Sequence, residues 1–257
     1  MKKSSNKKVK ILVCLCIIAI IFFIVFLSFR KYYKISDRVD KMKSKSDYPV
    51  IGWIRVQGTN IDYPVLYANE TGIDIYNINS DYSFAWRNIN TDTLNERTIV
   101  LGHNIRNVSS KPLKNEEKFN NFENIPSFLY YDFVKENKYI QYTVGKENYL
   151  FKIYSVYMTD SNDFNYSEYL EKTNKNNYIK DSKKKSYFDF DVDVNDTDKL
   201  ISLVTCTRFY GATSTSIVVD GRLVRKDENI KNYSVKENKN YKEIKKIMEG
   251  DEENEKA

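Results

Sequence analysis

The sequence predicts a mainly β domain that folds as a mainly antiparallel barrel. Its 257 residues include 41% hydrophobic and 14% aromatic side chains, which is enough for a sizeable core. Apolar and polar residues alternate in seven or eight short segments, the period of a half-buried strand. Turn-forming residues separate these segments, and few stretches have the longer period of a helix. Together these features are typical of a closed antiparallel sheet.

The first part of the domain predicts three strands. Residues 50–56 and 61–65 are rich in β-branched and aromatic side chains, and residues 58–60, Gly-Thr-Asn, predict a turn between them. Residues 98–101 form a short apolar strand that runs into His103.

The middle part predicts a hairpin followed by a helix. Residues 139–144 and 149–158 alternate on either side of a turn at residues 145–148. Residues 165–186 are rich in Asn and Lys and place three apolar side chains at helical spacing, so they predict a helix in a long connection.

Two further apolar strands, at residues 200–206 and 217–224, close the sheet. One domain over residues 48–226 accounts for all of these strands. Residues 227–257 mix basic and acidic side chains, and we expect them to form a frayed, charged tail.

The N-terminus predicts a membrane anchor. Residues 11–29 are nineteen residues without a charge, and a helix of that length spans roughly 28 Å, close to a bilayer core. A basic segment, residues 1–10, precedes the anchor, and residues 30–47 follow it as a juxtamembrane helix or linker. We predict a single-pass protein of the cell membrane with an extracellular domain. This orientation rests on the usual behaviour of N-terminal anchors, because both flanks are basic.

The net charge of +6 does not indicate nucleic-acid binding. Twelve of the 41 basic residues but only two of the 35 acidic residues lie in residues 1–45, so the remainder of the chain is net negative. A nucleic-acid-binding domain carries its excess positive charge on the folded part. We therefore exclude nucleic acid as a partner.

The domain contains one histidine, His103, and one cysteine, Cys206, and each ends a predicted strand. Side chains at strand ends can line a groove while the sheet holds them in place. A cysteine nucleophile needs its thiolate, which a neighbouring histidine cation stabilises. The alternatives are a small buried hydrophobe for Cys206 and an ordinary surface or core residue for His103.

Metal binding has little support. One His and one Cys leave a zinc ion short of its usual ligands. Asp189, Asp191 and Asp193 would share one face of a strand, but an acidic loop is the commoner meaning of this pattern than a calcium site. We expect no metal and no other cofactor.

Several motifs resemble those of the sortase family. Residues 202–206, Ser-Leu-Val-Thr-Cys, resemble the sortase signature Thr-Leu-x-Thr-Cys, and residues 101–104, Leu-Gly-His-Asn, are similar to the sequence around the sortase histidine. Residues 52–54 and 58–65 resemble the opening strands of class B sortases, and residues 218–224 resemble the last strand. The matches follow the family order along the domain.

The resemblance implies an eight-stranded sortase barrel, with an N-terminal helical segment and a helix between strands six and seven. It implies a cysteine transpeptidase on the surface of a Gram-positive bacterium. Cys206 would attack a Thr carbonyl in a sorting motif, and His103 would donate a proton to the leaving amine. The implied partners are surface proteins or pilins with that motif, and a peptidoglycan precursor or pilin amine as acceptor.

One position departs from the family pattern. Sortases carry an arginine on the strand after the cysteine, and alignment of the last strand places Ser216 there. Arg208 and Arg222 are the alternative cations for steadying the substrate and the oxyanion, and Thr205 is a further candidate at the site. If none of these residues serves, the protein is a weak or inactive sortase homologue that binds sorting peptides or pilins.

Overall fold

The computed structural model describes six stretches of the chain and four single residues near the N-terminus. These are residues 50–68, 83–86, 92–160, 174–211, 215–230 and 233–249, with Val13, Cys14, Ile17 and Ile20. Apart from those four positions, the predicted anchor at 11–29 and the predicted helical linker at 30–47 lie outside the described residues. Within the described part of the chain, no helix has the length and hydropathy needed to cross a membrane.

The described residues form ten strands. They are β1 (Val50–Val56), β2 (Asp62–Ala68), β3 (Ser83–Trp86), β4 (Arg97–Leu101), β5 (Tyr139–Val144), β6 (Glu147–Asp160), β7 (Phe188–Phe190), β8 (Leu200–Thr207), β9 (Thr215–Leu223) and β10 (Val235–Glu237). Eight of them close a barrel in the order β1-β2-β3-β4-β8-β9-β6-β5, and β7 pairs with β10 in a separate sheet. The predicted eight-stranded barrel is confirmed.

Most neighbouring strands of the barrel are antiparallel, as predicted, but two pairs are parallel. These are β2–β3 and β4–β8. A parallel pair needs a long crossover connection, and the chain between β4 and β8 includes the β5–β6 hairpin. The parallel pairing brings the carboxyl ends of β4 and β8 to the same edge of the barrel, where His103 follows β4 and Cys206 is the second-last residue of β8.

Three α-helices and a 3₁₀ segment complete the described fold. They are the 3₁₀ segment Asn121–Leu129, α1 (Tyr131–Glu136), α2 (Lys175–Lys185) and α3 (Tyr241–Glu249). The predicted helix after β6 is confirmed as α2, and the part of the prediction at residues 165–173 lies outside the described residues. Asn174 caps the N-terminus of α2, and its side chain accepts a 2.9 Å hydrogen bond from the backbone N–H of Asn176.

Strands β8 and β9 are buried on both faces, which sets the position of α2. Ile201 and Leu203 are fully buried, and the alternation of a strand places Ser202 on the opposite face. Helix α2 covers that second face with Tyr178 and Ile179. Burying each large apolar side chain contributes about 1.5–3 kcal/mol, so both faces stabilise these two central strands.

The β5–β6 hairpin matches its sequence prediction and depends on a glycine. Only Gly145 and Lys146 connect the two strands. Gly145 has a φ of +59°, and a Cβ atom there would lie 2.2 Å from the carbonyl oxygen of Asp92. Both the conformation and the close approach require glycine.

The expected frayed tail is wrong for residues 233–249. Tyr233 is buried and donates hydrogen bonds to the carbonyl oxygens of Lys138 and Ile153, at 2.7 and 2.9 Å. Strand β10 then pairs with β7. Helix α3 buries three apolar side chains at helical spacing, Tyr241, Ile244 and Met248. The charged composition concealed this narrow apolar stripe.

Candidate active site

The site begins with a row of residues across four strands. Cys206 on β8 lies opposite Ser216 on β9, and Ser216 lies opposite Thr159 on β6. On the other side of β8, Leu101 of β4 is paired with Val204. Extending that parallel register by two residues places His103 beside Cys206. The row is therefore His103, Cys206, Ser216 and Thr159, and the candidate nucleophile Cys206 lies between a histidine and a serine.

The backbone at His103 is fixed by its contact with the 3₁₀ segment. The carbonyl oxygen of His103 accepts a 3.0 Å hydrogen bond from the backbone N–H of Phe122. A Cβ atom at Gly102 would lie 2.3 Å from the Phe122 ring, so the chain can pass this ring only because residue 102 is glycine. His103 itself is half-buried.

Thr205, next to Cys206, is 2% exposed and reaches across to the His103 loop. Its hydroxyl donates a 2.7 Å hydrogen bond to the carbonyl oxygen of Gly102. Thr205 was predicted as a substrate-binding candidate, and the structure places its hydroxyl in a contact between the two halves of the site.

Asn104 makes a second contact between the two halves, and the sequence analysis did not single it out. Its side-chain Nδ2 donates to the carbonyl oxygens of Cys206 and Asn107, each at 2.9 Å. Its Oδ1 accepts a 3.1 Å hydrogen bond from the backbone N–H of Asn107. The Gly-His-Asn motif contained the residue, but no local pattern shows that its partner lies on β8.

A buried carboxylate braces the loop that carries these residues. Glu123 accepts hydrogen bonds from the backbone N–H and the guanidinium of Arg106, and from the backbone N–H of Asn120. Burial alone would raise the pKa of Glu123, but these hydrogen bonds lower it below its usual range. The loop after His103 is thus held by an ionised side chain.

The Cys206 side chain is exposed and reachable. Desolvation by the surrounding protein nevertheless raises its thiol pKa above the ordinary value. A thiol with a raised pKa is protonated at neutral pH, so its reactivity depends on a base or a cation brought close to it.

Two arginines were predicted as alternative cations, and the structure separates them. Arg208 follows the end of β8, is exposed, and makes no ion pair with any described carboxylate. Arg222 is six residues from Ser216 along β9, which is about 20 Å at the rise of a strand. Arg222 is 2% exposed and ion-paired with Glu228. The structure therefore does not bring Arg222 to Cys206.

A buried polar cluster lies under α2, and sequence reasoning missed it. Asp220 is fully buried, and its Oδ1 accepts hydrogen bonds from the hydroxyls of Tyr178 and Ser202, both at 2.6 Å. The Tyr178 hydroxyl also lies 3.2 Å from the hydroxyl of Tyr157. Ser202 and Asp220 are paired across the same two strands as Cys206 and Ser216, so the cluster supports the strands that carry the site.

Two of the three aspartates considered for a calcium site bind other side chains. Asp189 accepts a hydrogen bond from Asn238 at 3.2 Å, and Asp193 forms a 2.8 Å ion pair with Arg225. Among the described residues, no three His, Cys, Asp or Glu side chains cluster as metal ligands would.

The family follows from comparison with known proteins. The family model described as "Sortase domain" matches residues 54–224, from β1 to the residue after β9. The chain belongs to the sortase family. It is a class B-like sortase: Sortase B of Listeria monocytogenes is 28% identical over 191 residues, which cover 71% of this chain and 72% of the relative.

Solved structures agree with the barrel. A mutant form of Clostridium perfringens sortase B matches with a TM-score of 0.60 and 26% identity, over 76% of this sortase and 90% of that chain. A Staphylococcus aureus sortase B–substrate complex matches with a TM-score of 0.59 and 24% identity, over 74% of this sortase and 86% of that chain. The second likeness shows the fold alone.

Proposed function

We propose that this sortase is a membrane-anchored cysteine transpeptidase that cleaves a sorting motif in surface proteins and transfers the acyl group to a cell-wall or pilin amine. One observation carries the proposal. The β4–β8 register, extended two residues past the end of β4, supports it, because it aligns His103, the only histidine of the sequence, with the exposed Cys206 near the end of β8. This juxtaposition fits nucleophilic catalysis with a general acid and base.

The proposed reaction proceeds in two balanced halves. His103 takes the proton of the Cys206 thiol as the sulfur adds to the Thr carbonyl of the sorting motif, and it gives that proton to the leaving amine when the C–N bond breaks. A thioester to Cys206 remains. The acceptor amine then attacks the thioester, His103 takes a proton from the amine, and it returns that proton to the Cys206 sulfur as the C–S bond breaks. No cofactor takes part.

The cation that steadies the oxyanion is part of the proposal. Ser216 is neutral and buried opposite Cys206, whereas Arg208 is exposed two residues after the nucleophile. Alternate residues of an extended chain project to the same side. We assign the oxyanion and substrate contact to Arg208, with Thr205 holding the adjacent backbone.

The second candidate function is binding of sorting peptides or pilins without turnover. Ser216 favours it, because loss of one oxyanion donor costs about 10²–10³ in rate in other hydrolytic enzymes. The raised thiol pKa of Cys206 also favours binding without turnover, because a protonated thiol is a poor nucleophile. The retained pair of His103 and Cys206 favours catalysis.

Location at the cell surface is also a proposal, and the uncharged run at residues 11–29 supports it. Protease treatment of intact cells should digest the folded domain if it is extracellular. A domain that remains protected, while a known surface protein is digested, would overturn this orientation.

Intact-mass spectrometry of the protein with a pool of sorting-motif peptides tests the activity. We expect a mass increase equal to the acyl fragment in the wild type, and none in Cys206→Ala. Arg208→Ala should reduce the amount of adduct. The control Arg55→Ala removes an arginine of β1 that is paired with Asp62 of β2, and it should leave the adduct unchanged.

Two variants at Ser216 separate the two functions. Ser216→Gln is the control without a charge. An adduct that appears only in Ser216→Arg, and not in Ser216→Gln, would mean that the wild type lacks a cation and binds without turnover. No adduct in any variant, together with peptide binding by calorimetry, would also establish the binding function.

A further inference from the structure

The carboxamide of Asn104 stands in for a backbone donor. Gly102 donates its backbone N–H to the carbonyl oxygen of Val204 at 3.2 Å. If the parallel ladder continued, the next such bond would join the backbone N–H of Asn104 to the carbonyl oxygen of Cys206, because each partner advances by two residues. Strand β4 has ended before residue 104. The side-chain Nδ2 of Asn104 donates to the carbonyl oxygen of Cys206 instead, at 2.9 Å.

The carboxamide has no freedom to rotate away. Asn104 is 6% exposed, and both its nitrogen and its oxygen are hydrogen-bonded. Its partner Asn107 is itself held, because the Asn107 side chain donates to the carbonyl oxygens of Leu113 and Glu123, each at 2.9 Å. Asn104, which directly follows His103, is thus a rigid link to the peptide group of Cys206.

We propose that Asn104 is a positioning residue that sets the distance and orientation between His103 and Cys206. The proposal rests on the proposed function, since it assigns the residue that aligns the reacting pair. Asn104 acts through the backbone of Cys206, whose carbonyl oxygen it binds, and through its own place next to His103. Its side-chain hydrogen bonds go to backbone groups of Cys206 and Asn107.

Two substitutions of Asn104 separate its polarity from its size. Asn104→Ala removes the donor. Asn104→Asp keeps the shape but turns a carboxylate toward two carbonyl oxygens, so it should be at least as damaging as alanine. A residue that only filled space would tolerate aspartate. Misplacing a reacting group by about 1 Å costs on the order of 10²-fold in rate, so we expect kcat to fall by that order with a smaller change in KM.

The single histidine of the chain gives a readout that needs no turnover. The imidazole of His103 gives a unique NMR signal, and we expect its chemical shift at a fixed pH to differ between the wild type and Cys206→Ala because the two side chains are neighbours. We expect this difference to collapse in Asn104→Ala and in Asn104→Asp. Asn238→Ala is the matched control, because the Asn238 carboxamide also donates to two oxygens, Ser186 O and Asp189 Oδ1, but far along the chain from the site.

The outcomes are distinct. A chemical-shift difference that persists unchanged in both Asn104 variants, or that is absent between the wild type and Cys206→Ala, overturns the positioning role. A difference that collapses supports it. If that collapse occurs while the wild type forms no acyl-enzyme with any peptide, the proposed transpeptidase function fails but the positioning role of Asn104 stands.

Discussion

The hydroxyl of Thr205 donates a 2.7 Å hydrogen bond to the carbonyl oxygen of Gly102, which lies 103 residues earlier in the chain. Each of these residues immediately precedes a candidate catalytic residue, Cys206 and His103. The bond runs alongside the contact of Asn104 with Cys206, so two side chains hold the same two segments together. The site is therefore a property of the β4–β8 pairing and not of either strand alone.

Thr205→Val should lower acylation while Thr205→Ser should retain most of it. Valine keeps the shape of threonine but leaves the buried carbonyl of Gly102 without its donor, which costs about 1–3 kcal/mol. Initial rates of acyl-enzyme formation and thermal melting measure the two effects. If valine and serine behave alike in both measurements, the hydroxyl does not hold the loop.

Gly102→Ala should displace His103 and destabilise the domain. The new methyl group would lie 2.3 Å from the ring of Phe122, and Phe122 is fully buried with its backbone bonded to His103. Overpacking of this kind costs about 1–3 kcal/mol. Urea denaturation of Gly102→Ala, Phe122→Leu and the double variant measures the coupling. Leucine at position 122 is smaller than phenylalanine and should make room for the methyl group of alanine at position 102. If the two changes in the free energy of unfolding were strictly additive, the clash would be contradicted.

Sequence patterns could predict seven of the ten strands, because alternation and turn residues are local signals, but they missed the short strands β3, β7 and β10. The two candidate catalytic residues were identified from the single His and Cys of the domain and the family motifs around them. Sequence patterns could not predict that β4 and β8 are parallel, since strand period carries no direction. They also missed the partner of Asn104, because its contact with Cys206 joins residues 102 positions apart. The role of Arg222 stayed open for a similar reason: alternation gives the face of a strand but not the reach along it.

The C-terminal residues show a different limit. Their charged side chains outnumber the apolar ones, so composition alone predicts a solvated tail. Three buried side chains of α3 and the pairing of β10 with β7 suffice to dock the segment. A stripe this narrow is visible only once its packing partners are known.

Asp220 makes stability depend on pH. Burial raises the pKa of its carboxyl from about 3.8 to about 8, with a hydrogen bond from Ser202 acting in the opposite direction. Between those values the folded protein keeps a proton that the unfolded chain has lost. Unfolding then releases a proton, so rising pH favours the unfolded state across this window.

Asp220→Asn should therefore flatten the fall of Tm between about pH 5 and pH 8, because the neutral amide has no proton to lose. Thermal melting of the wild type and the variant across this range measures the change. Asp181→Asn, on the exposed part of α2 and paired with Lys185, is the control and should leave the slope intact. Equal slopes in Asp220→Asn and the wild type would show that Asp220 titrates normally.

Glu228 forms ion pairs with two buried cationic side chains, Arg222 and Lys152. Its carboxylate accepts hydrogen bonds from the guanidinium of Arg222 and, at 2.7 Å, from the Nζ of Lys152. The hydrogen bonds from Arg222 hold the pKa of Glu228 far below its usual value. Arg222 is 2% exposed and Lys152 6%, so loss of this carboxylate leaves two positive charges without their ion-pair partner.

Glu228→Gln should lower the free energy of unfolding at pH 7 by about 3 kcal/mol, the lower end for a broken buried ion pair, because Glu228 is partly exposed. The ionised carboxylate stabilises the fold above the unfolded pKa near 4.3, and this contribution is lost as pH falls below it. Urea denaturation should therefore give a lower free energy of unfolding for Glu228→Gln than for the wild type at pH 7, and this difference should shrink as the pH is lowered through 4. The neighbouring Asp227→Asn, which removes an exposed carboxylate, should match the wild type at both pH values. A deficit for Glu228→Gln that is equally large in acid would mean that the contact acts through shape and not through charge.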